Sequence, residues 1–175
     1  MPNKEAINET VFGFGISPLH AKINIMQFLL RCAYKMDESK QPEVRKKEIQ
    51  KLFKEKTGLI IDKPKPGFGI SHDGNTARRF FQDHQLTSEI TGIDVEIIER
   101  FSNLLAAISC NRVVDFKKYE KYGIATAQLF LDTYPSFTFS PTVHKILFHG
   151  HEYIQHFRSV PLGKLYLSRQ RIRKL

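Results

Sequence analysis

Apolar residues recur along this chain with helical rather than alternating periodicity. Ile23, Met26, Leu29, Leu30 and Ala33 share one stripe, which predicts a helix with Ser17 as N-cap and Pro18 in its first turn. A second helix is predicted from Pro42, with Val44, Ile49, Leu52 and Phe53 inward and Gly58 closing it. Its basic residues alternate with glutamates at short spacing, so they read as a solvated face rather than a nucleic-acid stripe. DKPKPGFGISHDG, 62 to 74, carries two prolines and three glycines and must be a loop. Its Gly67-x-Gly69 has no βαβ unit around it and no Gly-Lys-Ser/Thr after it, so a phosphate loop is not indicated.

Helical signals resume at DGNTARRFFQDH, 73 to 84. In TGIDVEIIERFSNLLAAISC the residues Ile93, Ile97, Ile98, Phe101, Leu104, Leu105 and Ile108 make the broadest stripe of the chain. Asp115 caps a further helix with Phe116, Tyr119, Ile124, Ala127 and Phe130 or Leu131 apolar, stopped by Pro135. Ser140-Pro141 opens the last one. Only SFTFS, 136 to 140, alternates like a strand. The expected class is all-α with about six helices: a flexible segment at 1 to 16, a helical domain at 17 to 158 and a basic, disordered tail at 159 to 175.

Composition fits one packed domain, since 175 residues with 41% hydrophobic content and 14 Phe can form a real core. The net charge of +9 predicts attraction to polyanions, nucleic acid foremost. Six of those nine charges are Arg158, Lys164, Arg169, Arg171, Arg173 and Lys174, in a stretch with no acid. Cys32 and Cys110 lie far apart within apolar helical patterns, which predicts buried thiols in a reducing compartment. There is no apolar run of membrane length and no secretory start, so an intracellular chain without a membrane partner is expected.

Four histidines, His144, His149, His151 and His156, crowd into the thirteen residues from 144 to 156. On a continuous α-helix His144 and His149 point about 140° apart. The His-Glu-x-x-His spacing of a zinc protease is missing, which argues against a small metal hydrolase. For one ion to be held by both, the helix must bend or end between them, and Gly150 is the residue nearby that would make this easy. Two more ligands are then required, and no CxxC supplies them. From the residues alone, surface histidines and a ligand pair both remain open.

DGNTARRFF, 73 to 81, and YPSFTFSPTVHKILFHGHEYI, 134 to 154, resemble segments of the Transib-type transposases and of the catalytic subunit of the V(D)J recombinase. PLHAKI, 18 to 23, resembles the Leu-His element following that family's second catalytic region, so the likeness spans roughly residues 17 to 165. It implies the helical insertion between the second Asp and the final Glu of an RNase H-like recombinase, without the catalytic sheet. His144 and His149 then take zinc-ligand positions in a site whose CxxC partner is absent.

The resemblance places both catalytic aspartates outside this sequence. The final Glu should follow an Ile/Leu-Gly pair, which Leu162-Gly163 matches, yet counting onward reaches Ser168, whose hydroxyl cannot replace a metal-holding carboxylate. From Tyr166 the likeness stops, as a shifted reading frame would produce. A catalytically inactive fragment without catalytic Mg is therefore expected. Asn75, Arg78 and Arg79 are implied to lie near DNA; the alternative is that Asp73 caps a helix, Phe80 and Phe81 anchor it, and the arginines are ordinary surface charges.

Two functions follow as expectations. One is an inactive, transposase-derived helical domain that binds DNA in the nucleus. The other is a domesticated protein-interaction module, self-associating or binding a full-length transposase. No small-molecule substrate is indicated by either.

Overall fold

The computed structural model describes residues 17–65, 69–70, 72–110 and 112–157, without the side chains of 64–65, 69–70 and 156–157. The expectations for the N-terminal segment, the tail, Leu162, Gly163 and Ser168, and the side chain of His156 lie outside the described residues. Within them the architecture is all-helical. Helices α1 (Pro18–Lys35), α2 (Pro42–Thr57), α3 (Gly74–Phe80), α4 (His84–Thr91), α5 (Val95–Ser109) and α6 (Phe116–Thr133) are followed by a last rod in three parts: α7 (Pro141–His144), a π-helical turn (Lys145–His149) and α8 (Gly150–Phe157).

Start and stop signals act mostly as their chemistry dictates. Asp73 accepts the Thr76 N–H at 2.7 Å, and Asp115 accepts from Lys117 and Lys118 at 3.0 and 3.1 Å. Gly58 ends α2 at φ 68°, a left-handed geometry that costs glycine little. Ser17 and Ser140 stand at N-cap positions but their hydroxyls make no cap bond, leaving proline in the first turn as the signal that operates.

The helical signal that starts at 73 becomes two short helices, α3 and α4. A turn at Phe81–Gln82 separates α3 from α4, Asp83 caps the second through the Leu86 N–H at 2.9 Å, and the buried Thr87 hydroxyl donates to the Phe80 carbonyl at 2.7 Å. SFTFS is not a strand. It is an irregular connection, opening with a turn at Pro135–Ser136, whose Phe137 and Phe139 pack on the core, so its alternation reports one-sided burial. The pairing present among the described residues is a two-residue antiparallel contact, Pro64–Lys65 with Gly69–Ile70, inside the proline-rich loop.

Helix α1 is the centre of the molecule and packs against α2, α3, α5 and α7. Phe28 from α1 meets Phe101, Phe130 and Phe139 at ring-centre distances of 6.5, 5.3 and 6.3 Å, joining α1, α5, α6 and the connection to α7 in one aromatic core. Phe53 and Phe80, 5.8 Å apart, seal α2 against α3. Two apolar positions on the predicted stripes, Val44 and Ile124, face outward instead, and of Phe130 and Leu131 it is Phe130 that is buried. Among the described residues no helix is long and apolar enough to cross a membrane.

Candidate functional site

The histidine-rich rod is where local backbone and chemistry meet. A π-turn replaces i→i+4 bonding by i→i+5, so residues five apart lie about one turn from each other. His144 and His149 thereby come together, with ring centres 5.4 Å apart and planes inclined at 42°. The helix does change between the two histidines, as a shared ion would require, but the expectation that Gly150 eases the change is corrected by this geometry. Gly150 is right-handed helical at φ −61° and ψ −30°, and the change of register lies before it.

Helix α6 packs directly on this turn. The Tyr119 hydroxyl, on a residue only 4% exposed, donates to the Ile146 carbonyl at 3.0 Å. Burial pushes that hydroxyl well above its ordinary pKa, so it remains a protonated donor. A Cβ at Gly123 would stand 2.3 Å from the Leu147 carbonyl oxygen, and one at Gly150 would stand 2.5 Å from the Tyr119 oxygen. Both glycines are contact points between backbone and neighbour.

Both histidines are exposed. His149 Nδ1 faces Glu152 Oε1 at 3.3 Å, and a neutral imidazole whose Nδ1–H is held by a carboxylate carries its free lone pair on Nε2. His144 rests on Phe148 with ring centres 4.8 Å apart. Two imidazoles on one tetrahedral zinc, each bonded at about 2 Å, have ring centres roughly 5 Å apart, and the observed pair fits that span. His151 serves the core side instead: its Nε2 lies 3.7 Å from Glu120 of α6, while its Nδ1 is buried without a partner. Among the described residues no three His, Cys, Asp or Glu side chains converge as a metal cluster. What is formed is a pair of exposed imidazoles with adjacent rings.

The Asn75-Arg78-Arg79 motif divides. Arg78 donates to Asn75 Oδ1 at 2.9 Å and both remain exposed. Arg79 bonds the Thr57 carbonyl at the end of α2, where a cation meets the negative end of the helix dipole. Asp73 capping and burial of Phe80 and Phe81 also occur. Arg78 shares a cleft with Lys22 of α1 and with Phe81, Gln82, Ser102 and Leu105, and among the described residues no carboxylate lines it. Lys22 was not singled out by its sequence context, because only the fold brings it beside Arg78.

A second polar cluster escaped the sequence reading altogether. Asp62, at φ 50°, accepts from the Tyr34 hydroxyl at 2.6 Å and pairs with His72 Nε2 at 2.7 Å, while Lys46 approaches to 4.0 Å. Burial alone would push the carboxyl upward; the bonds from His72 and Tyr34 and the charges of His72 and Lys46 outweigh it and hold Asp62 below its ordinary value. Burial, then the bond to Asp62, pushes Tyr34 strongly upward. The cluster joins α1, α2 and both ends of the proline-rich loop.

No protein-family model matches the sequence, and no curated protein matches it.

Proposed function

We propose that this chain is a catalytically inactive, transposase-derived helical domain, akin to the insertion of Asp-Asp-Glu recombinases, that contacts DNA by phosphate-directed cations and offers His144 and His149 as half of a zinc site. The observation that carries this proposal is the meeting of two histidines five residues apart, which an uninterrupted α-helix would keep on different faces. The two missing zinc ligands come from a second chain, either another copy or a full-length transposase, and the ion would act as a structural cross-brace. Arg78 and Lys22 meet phosphates without reading bases, and Asn75 orients Arg78. A nuclear location follows from this ancestry.

Fluorescence anisotropy with labelled duplex DNA across a salt series tests the proposal. Binding that weakens with salt and depends on Arg78 supports it; binding abolished by removing residues 166 to 175 and indifferent to Arg78→Ala reduces it to tail charge. Incubation of labelled terminal-repeat DNA with Mg²⁺ or Mn²⁺ is expected to give no nicked or joined product, and product scaling with purified chain would refute inactivity.

One observation favours the protein-interaction reading. Ile124 and Leu131, seven residues apart on α6 and so on one face, are 50% and 38% exposed. Concentration-dependent association lost on replacing both with Glu, with DNA binding absent, would put that reading first.

A further inference from the structure

We infer that Tyr119 is a positioning residue, acting with Gly123 and Gly150 as a clamp through which α6 sets the helical register that brings His144 and His149 together. The inference deepens the half-site reading and rests on it where zinc is concerned, but the register itself is independent of any metal.

A widened turn gives up regular i→i+4 bonding and persists only where its surroundings favour it. Here the surroundings are specific. The buried Tyr119 hydroxyl donates to Ile146, inside the turn. Gly123 lets the α6 backbone come against the Leu147 carbonyl, the next residue along, closer than any side chain would allow. Gly150 leaves room for the Tyr119 ring just beyond the turn. Three contacts from one helix thus bear on three positions within and just after the segment that separates the two histidines. The buried face of the rod, Ile146 and Leu147, is held against α6, while His144 and His149 are left exposed with their rings adjacent.

The clamp predicts two separable effects of Tyr119→Phe, which removes one oxygen and keeps the ring. In the metal-free full chain, the nuclear Overhauser contact between the ring protons of His144 and His149 should weaken or vanish as the turn relaxes toward an α-helical register. Zn²⁺ affinity, measured by competition with a chromogenic chelator, should fall about 10-fold, as it does when groups that orient metal ligands are removed. Gly123→Ala should do the same more strongly. Gly58→Ala is the control, since its added methyl meets nothing within 4 Å and lies at the far end of α2; it should lower stability without moving the rings.

Persistence of the ring contact in both Tyr119→Phe and Gly123→Ala overturns the clamp. If Gly123→Ala does not fold, Tyr119→Phe decides alone. His144→Ala and His149→Ala separate the two layers of the inference. Zinc affinity unchanged in both variants sinks the half-site reading while the ring contact still tests the clamp. Affinity lost there but retained in Tyr119→Phe, with the ring contact intact, leaves the half-site standing and removes the clamp.

Discussion

His72 Nε2 and Asp62 Oδ1 lie 2.7 Å apart, with the His72 side chain only 2% exposed, across a loop whose ends they tie together. Because Asp62 is depressed below its unfolded value, its contribution to stability is fully present above the unfolded pKa of about 3.9 and is lost as pH falls through the folded one. Asn tolerates the left-handed φ of this position as Asp does, so Asp62→Asn isolates the charge. Loss of about 1.5–3 kcal/mol is expected at pH 7, typical of hydrogen bonds to an ionised group. Urea denaturation of wild type and variant should show this difference at neutral pH and its shrinkage below about pH 4.

Neighbouring arginines with different partners should separate in their effects. Arg79→Ala removes the bond to the Thr57 carbonyl and is expected to cost about 1 kcal/mol of stability, with a lowered thermal midpoint. Arg78→Ala should leave stability within about 0.5 kcal/mol. It should instead weaken DNA binding and reduce the slope of log affinity against log salt by about 1.

Glycines 123 and 58 fail for different reasons when given a side chain. At 123 the new methyl meets a backbone carbonyl, which cannot step aside alone, and an overpacking cost of about 1–3 kcal/mol is expected. At 58 there is open space but a φ of 68°, so the cost, about 1–2 kcal/mol, is backbone strain. Amide exchange distinguishes them: Gly123→Ala should accelerate exchange across the π-turn, and Gly58→Ala only around the end of α2.

Thiol labelling should count one cysteine in the native state and two after unfolding. Burial pushes Cys32 up to about 12, with the nearby charges of Arg31 and Lys35 opposing weakly, and removes it from attack. Cys110 is half-buried at the end of α5. Ellman's reagent under native conditions should modify Cys110 and spare Cys32.

The helices were legible because their core stripes are long and their ends carry Pro, Asp or Gly. The stripe from Ile93 to Ile108 is buried throughout α5 and just before it. Periodicity failed where burial is one-sided for another reason, as in SFTFS, and where a position on the stripe faces outward, as at Ile124. The boundary between α3 and α4 was hidden because Asp83 sits among residues that suit a continuing helix. For the histidine pair, sequence supplied the residues and fixed an angle that assumed one constant pitch. The contacts that change the pitch come from Tyr119 and Gly123, more than twenty residues earlier. The Asp62 cluster was invisible for the same reason: Tyr34 lies 28 positions before it.

At position 123 the molecule accepts a hydrogen atom and nothing larger, because a carbonyl oxygen from another element already occupies the volume a methyl group would need. Any side chain at residue 123 is therefore expected to unseat the winding of the last rod, and the two imidazoles would part although neither had been touched.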